Sequence, residues 1–406
     1  MPTRRALLAA SVAGLGAVTA ACTQSNPSYD LLVINGIVID PSQNIHEPLD
    51  VACKDGKIAI LAPSLPSSDA REVLDAAGKI VAPGFIDIHV HVFPESTGLG
   101  IPADPNHIAK GVPTVIDAGS AGYYTWPGFR KWIIEVSATR IYSLINISYK
   151  GMMSGEIGEL ADIRYANPKL ALECIEQNRD VILGVKIRLS RGLTGDRDIE
   201  LLVRAREAAE AARLPMMVHI GGPYSPIGKI FNLMRKGDIM THMYCGGYHG
   251  ILNEEGKVVS AARKAFNKGI HFDVGHGRGG FSFAVAEQAI AQEFLPGTIS
   301  SDLHKFNVDG PVYDQATTLS KFMLLGYSLD KVIELTTHRP AKLFKFNEQI
   351  GTLQPGAEAD ITILEQKEGI FEFTDSRDDT RTGEQKLIPW KTIKGGRIYQ
   401  PPLHGS

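Results

Sequence analysis

"VAPGFIDIHVHVF", running from Val81 to Phe93, is the stretch from which the rest of the chain can be read. An almost unbroken apolar run predicts a buried strand, yet His89 and His91 stand at its far end. Two residues apart on an extended chain, their rings face the same side. A buried ionisable group without a partner is costly, so two rings aimed at one place call for a shared partner.

Outward from this strand the same pattern recurs as far as His304. Apolar, β-branched segments end in polar or Gly-containing turns, and helical stretches follow them. The segments are "VPTVIDAG" from Val112, "IYSLINIS" from Ile141, "ILGVKIR" from Ile182 and "PMMVHIG" from Pro215. "DIMTHMY" from Asp238, "IHFDVGH" from Ile270 and "TISSDLH" from Thr298 complete the series. "DIELLVRAREAAEAARL", ending at Leu214, and "FSFAVAEQAIAQEF", ending at Phe294, carry apolar residues at helical spacing. Eight strand–helix units over about 250 residues predict an α/β fold of the (β/α)8 TIM-barrel type. In such barrels the chemistry lies at the C-terminal ends of the strands, which is where His89 and His91 fall.

The two ends of the chain resemble each other. "YDLLVINGIVIDPSQN" and "LDVACKDGKIAILAPS" near the start, and "GAEADITILEQ" and "LIPWKTIKGGRIYQ" near the finish, are alternating strands with Gly, Asn and Asp turns. The expected organisation is a barrel over residues 83–346 and one small β-sandwich assembled from 29–82 and 347–400. "DSRDDTRTGEQ", Asp375 to Gln385, is charged and turn-rich and is expected as an exposed loop.

With 406 residues, 44% hydrophobic and 21% charged, the composition is that of an ordinary globular protein. The 42 basic and 45 acidic residues leave a net charge of −3 with no basic block or stripe, which argues against nucleic acid as a partner. Residues 1–22 read separately, as an export signal: "MPTRR" is a basic start and "ALLAASVAGLGAVTA" an apolar core too short to span a bilayer comfortably. Arg4 and Arg5 before Leu7 and Leu8 resemble a twin-arginine signal. "VTAAC" resembles a bacterial lipobox, with Thr19 in place of the usual Leu, and offers Cys22 as a lipid anchor. The expected location is therefore periplasmic or membrane-anchored. Cys53, Cys174 and Cys245 have no CxxC spacing and imply no disulfide framework.

Collecting the polar residues that end the strands gives His89 and His91 on the first, Lys186 on the fourth, His219 on the fifth, His242 on the sixth and Asp302 on the eighth. Six such groups converging on one barrel mouth are best satisfied by cations. Imidazoles with a carboxylate suit zinc or a similar divalent metal, and four histidines exceed what one catalytic zinc takes, so two ions are expected. Lys186 fits beside cations only if its neutral amine takes up carbon dioxide, giving a carbamate that bridges both. Lone histidines elsewhere, His107, His249, His271 and His338, read as structural.

This ordered set resembles the binuclear amidohydrolase superfamily. "VAPGFIDIHVH", "TTHRPAKLF" and "GTLQPGAEADITIL" are similar to the segments flanking the barrel in dihydroorotases and related deacetylases. "VKIRLS", "VHIGG" and "DVGHGRGGFSF" resemble a bacterial deacetylase-like branch. The resemblance implies that His89 and His91 bind one ion and His219 and His242 the other, that Lys186 bridges, and that Asp302 touches the first metal and handles protons. It implies hydrolysis of an amide or ester bond of a small acylated amino or hydroxy acid by water that the metals activate. A cyclic-amide hydrolase of the dihydroorotase type, and a non-catalytic barrel that only binds, are the alternatives. An export signal favours the first over a biosynthetic dihydroorotase, and the full ligand set argues against the last. His276 and Arg278 in "GHGRGG" and Arg188, two residues after Lys186, are expected to hold substrate. His304 is a candidate support for Asp302, and Tyr224 and Tyr248 lie on loops at the same end. Self-association into a homo-oligomer is compatible with this reading.

Overall fold

In a computed structural model, which describes residues 27–247, 249–346 and 348–401, the histidine strand is split in two. Ile80–Pro83 belongs to a sandwich sheet, and the first barrel strand, β1, is Ile86–Val90. Gly84 marks the break. Its amide donates to the Asp360 carbonyl, and a Cβ there would lie 2.7 Å from Pro113 and 2.9 Å from Asp360, so only glycine lets the two domains touch. The expected export segment 1–22, with Cys22, and Tyr248 lie outside the described residues.

After β1 come β2 (Thr114–Asp117), β3 (Arg140–Asn146), β4 (Ile182–Leu189), β5 (Met216–Ile220), β6 (Ile239–Thr241) and β7 (His271–Phe272). They pair in sequence order, all parallel. The expected eighth strand is not a continuous ladder. Single bridges from Thr298 to Asp273 and from Leu303 to Val90 close the barrel. Between them the Ser301 amide turns to the Asp87 carboxylate, and Asp302 takes a left-handed φ of 48°. Regular pairing is given up where the chain bends to aim Asp302 inward. The helices pack apolar faces on this sheet as their spacing requires: Asp198–Ala212 buries Leu201, Leu202, Ala205, Ala208, Ala209 and Ala212. No helix among the described residues is long and apolar enough to cross a membrane.

Both chain ends do form a sandwich. Strands Lys57–Ala62, Asp50–Lys54, Tyr29–Ile34 and Ala70–Asp75 make one sheet. Arg397–Ile398, Thr380–Lys394, Ile361–Thr374, Ile80–Pro83, Ile37–Asp40 and Ile45–Pro48 make the other. Leu31, Val33 and Val51 meet Val38, Val81, Ile361 and Ile393 in a shared core, and Cys53 is buried and unpaired within it.

The hairpin Ile361–Thr374/Thr380–Lys394 is longer than a sandwich needs. Its near half pairs with Ile80–Pro83, while its far half runs along the barrel. There Phe373 and Leu387 enter the barrel core, and the Leu387 amide donates to Ser320 Oγ at 2.9 Å. This corrects the expectation of an exposed loop at Asp375 to Gln385. Thr380–Gln385 is strand, and Asp375 and Ser376 are buried in the turn. Asp375 is charged because it organises that turn: its carboxylate accepts the amides of Phe283, Arg377 and Asp379 at 2.8, 2.6 and 3.1 Å. The same chemistry that makes a stretch look solvated also serves a docked turn.

Candidate metal centre

Ionisable side chains from four strand ends and the closing segment meet at the C-terminal mouth of the barrel. Asp302 Oδ1 lies 3.4 Å from His89 Nε2 and 3.2 Å from His91 Nε2, and Oδ2 lies 4.0 Å from His242 Nε2. The His219 and His242 rings sit 4.4 Å apart, and Lys186 Nζ is 3.1 Å from His89 Nε2. His89, His242 and Asp302 alone offer three buried donor atoms close enough to share one ion.

The other ring nitrogens fix where the protons are. Thr241 donates its hydroxyl hydrogen to Asp273 at 2.8 Å, so it accepts from His89 Nδ1 at 2.9 Å. His91 Nδ1 lies 3.0 Å from Ser120 Oγ, whose hydroxyl bonds to Asp117. His242 Nδ1 donates to the Gly275 carbonyl at 2.6 Å. Each ring therefore carries its hydrogen on Nδ1 and turns an Nε2 lone pair towards Asp302. His219 instead turns Nε2 to Ser190 Oγ at 3.3 Å, leaving Nδ1 free for a ligand. Burial holds all four rings neutral, pulling His91 down to about 3, His242 to about 4, and His89 and His219 well below the ordinary range. Lone pairs facing a carboxylate at 3.2–3.4 Å repel unless something positive lies between them. Consistent with that, His242 Nε2 and Asp302 Oδ1 are buried with no hydrogen-bond partner among the described residues. The donor set fits divalent cations. Its two most displaced members, His242 and Asp302, are held at left-handed φ values of 64° and 48°, the kind of local strain found at functional sites.

Lys186 is fully buried, and burial lowers it to about 7. Apart from His89 its amine meets, among the described residues, only Met217 Sδ, at 3.3 Å. A buried lysine whose charge burial disfavours, with its donors poorly met, has capacity for a further partner.

Three further carboxylates support the cluster. Asp87 binds the Ser301 amide and hydroxyl, and Asp117 binds the amides of Val92 and Ser120. Asp273 accepts the hydroxyls of Thr241, Thr298 and Ser300. Burial raises Asp87 to about 7 and Asp273 to about 6. Their signal in the sequence is an Asp inside each apolar segment, in "FIDIH", "VIDAG" and "FDVGH". The glycines of "GHGRGG" serve this cluster as well: a Cβ on Gly277 would meet Asp302 Oδ2 at 2.2 Å, and one on Gly275 would meet Thr241 Oγ1 at 2.3 Å.

A cavity of about 480 Å³ opens above the cluster. Arg188 and Arg278, both expected to hold substrate, line it. Arg188 is oriented by Nε and Nη2 bonds of 2.8 and 2.6 Å to the buried Glu159, and Arg278 faces Asp378 at 3.8 Å. His276 does not line the cavity. Its ring stacks on Phe281 and its Nε2 meets the buried Lys321 Nζ at 2.7 Å, so the sequence expectation for this residue is corrected. His304 does line it. The Phe306 amide donates to its Nδ1, so its own hydrogen is on Nε2 and the neutral ring is a donor. Tyr224 is exposed and lines none of it. His107 is buried and His271 half-buried, both away from the cluster.

A parallel barrel capped by four neutral imidazoles, a buried lysine and an aspartate defines the amidohydrolase class, and comparison with known proteins agrees. The chain is 36% identical to a deacetylase of Enterococcus faecalis, covering 91% of this chain and 99% of that one. It is 35% identical to a deacetylase of Brucella anthropi, over 84% of this chain and 85% of the relative. Two crystal structures match closely. One, described as an adenine deaminase, has TM-score 0.86 and 36% identity over 92% of this chain and 100% of that one. The other, described as a dihydroorotase, has TM-score 0.84 and 31% identity over 91% and 98%. Residues 353–400 match a family model described as a Deacetylase-like composite domain. The chain belongs to this family of bacterial deacetylases, within the amidohydrolase superfamily, and is a metal-dependent hydrolase acting on C–N bonds.

Proposed function

We propose that the protein removes the acyl group from the nitrogen or oxygen of a small amino or hydroxy acid, using two zinc ions. His89, His91 and Asp302 would hold one ion, His219 and His242 the other, with Lys186 bridging as a carbamate. Ions bound there acidify water and polarise the acyl carbonyl. Asp302, the one carboxylate facing the His89, His91 and His242 nitrogens, takes the proton from that water and passes it to the leaving nitrogen or oxygen. His304 donates from Nε2 into the same cavity and can hold the leaving group in hydrogen-bond contact. Arg188, fixed by Glu159, keeps a cation beside the reacting end of an acidic substrate.

The observation that carries this reading is the set of lone pairs converging on Asp302 with their hydrogens directed elsewhere. The test is a screen of metal-loaded protein against N-acyl and O-acyl acids of both hands beside dihydroorotate, with metal content measured on the same sample. Hydrolysis of acylated acids and none of dihydroorotate is expected, and the reverse would favour the cyclic-amide alternative. For the first 22 residues we propose twin-arginine export with lipidation at Cys22. Replacing Arg4 and Arg5 with lysine should trap precursor in the cytoplasm, and Cys22→Ser should release the exported protein from the membrane.

A further inference from the structure

Three arginines line the cavity over the metal cluster, and they differ in what they face. Arg188 is committed to Glu159, and Arg278 has Asp378 at 3.8 Å. Arg377 forms no ion pair among the described residues. It comes from the turn of the long hairpin, far from the barrel strands in sequence. The turn is pinned where it stands: the Ser376 amide donates to the Phe281 carbonyl at 3.0 Å, and its hydroxyl reaches the carbonyls of His276 and Gly277 at 3.2 and 3.0 Å. Those carbonyls belong to the loop packed behind Asp302. The Arg377 guanidinium lies against Gly246, where a Cβ would come 3.4 Å from Nε and Nη2. It also stands at a junction, because with Cys245 and Gly247 it borders both the metal cavity and an adjoining one of about 1280 Å³. Ile227, Leu252, Val259 and Val285 give that second cavity an apolar wall.

We propose that Arg377 selects for the carboxylate of the substrate. It grips that group at the junction of the two cavities while the acyl carbonyl lies at the metal cluster and the acid's side chain runs along the apolar wall. The inference rests on the acylated-acid reading above and adds the residue that enforces it. A guanidinium with a free fork, held at the end of an anchored turn, pairs with a carboxylate through two hydrogen bonds at little ordering cost. A carboxamide offers it one acceptor and no charge.

The test compares the full-length, metal-loaded wild type with Arg377→Gln and Arg377→Lys. Turnover is measured on N-acetylphenylalanine and N-acetylphenylalaninamide. Binding is measured by calorimetry on 3-phenylpropionate and 3-phenylpropionamide, which carry no N-acetyl group. In Arg377→Gln, KM for the acid should rise on the order of tenfold to a hundredfold, far more than kcat falls, while KM for the amide stays in place. Arg377→Lys should recover part of the loss. Wild type should bind the propionate over the amide, and Arg377→Gln should bind them alike. Equal rises in KM for acid and amide would mark Arg377 as structural and overturn the proposal, as would a wild type that binds both propionyl probes equally. A wild type that prefers the propionate through Arg377 but hydrolyses no acylated acid would uphold the carboxylate site and overturn the deacylation reading.

Discussion

Among the described residues, two fully buried lysines each set the amine against a histidine nitrogen. Lys186 meets His89 Nε2 at 3.1 Å and Lys321 meets His276 Nε2 at 2.7 Å. Both are fully buried, and burial brings each to about 7. Their other contacts differ. Lys321 also donates to the carbonyls of Pro311 and Thr374 at 2.8 and 2.7 Å, so all three of its hydrogens have acceptors. Lys186 has, among the described residues, only the Met217 sulfur besides its histidine. Burial and titration shift alone would give both residues the same role. Counting acceptors separates them: Lys321 ties the hairpin to the loop behind Asp302, and Lys186 keeps hydrogen-bonding capacity for the bridging role proposed for it.

The largest test of that contrast is substitution of each lysine. Lys186→Ala should lose bound metal and turnover together, and a small carboxylic acid filling the gap should restore part of both. Metal content and rate, measured on one sample, decide it, and a variant that keeps two metals and its activity would remove Lys186 from the cluster. Next in size is Asp302→Asn, which keeps a coordinating oxygen but cannot accept a proton. It should retain most of its metal while turnover falls by about 10²–10⁴-fold. Near wild-type turnover with metal bound would move the base to another group, His304 first. Lys321→Met should leave metal content in place and instead lower stability by about 1–3 kcal/mol for each buried acceptor left unpaired, read by denaturant unfolding.

The smallest effect is a pH slope. Desolvated histidines inside the cluster (His91, His242) and outside it (His107, His271) have folded values of about 3 to 4. Unfolded histidine titrates at about 6.5, so between there and about 4 the unfolded chain binds more protons and stability falls as pH falls. Each such ring adds at most about 1.4 kcal/mol per pH unit in that window. In chelated protein, His107→Gln and His271→Gln should each flatten the curve. With metal bound, the contribution of the cluster should shift to lower pH while that of His107 and His271 stays where it was.

The sequence made the cluster at the barrel mouth legible because each member is an ionisable residue interrupting an apolar strand end, and strand order then supplies proximity. The supporting Asp87, Asp117 and Asp273 sit in the same segments but look like ordinary strand polarity, since only the folded barrel brings Ser301, Ser120 and Thr241 to them. His276 was misplaced because glycines that make room for a ligand and glycines that make room for a neighbouring side chain leave the same trace in a sequence. Arg377 was hidden more deeply. Its position depends on a strand pair of 14 and 15 residues reaching past its own domain, which no local pattern announces. The eighth strand was read as regular because its residues suit a strand; the Asp87 side chain takes the amide that a ladder would have used.

That long hairpin has a consequence for how the molecule can change. The clustered histidines, Lys186 and Asp302 come from strand ends and a closing segment locked into one wall, where most replacements would disturb several partners at once. The turn from Asp375 to Asp379 is held by a few contacts of its own, and its neighbours Arg377 and Asp378 are free to vary at the surface. On the role proposed for Arg377, one determinant of which acid is accepted stands on a stretch of polypeptide apart from the cluster, so descendants of this scaffold can exchange their acids by substitution in this turn while the strand ends pass through unaltered.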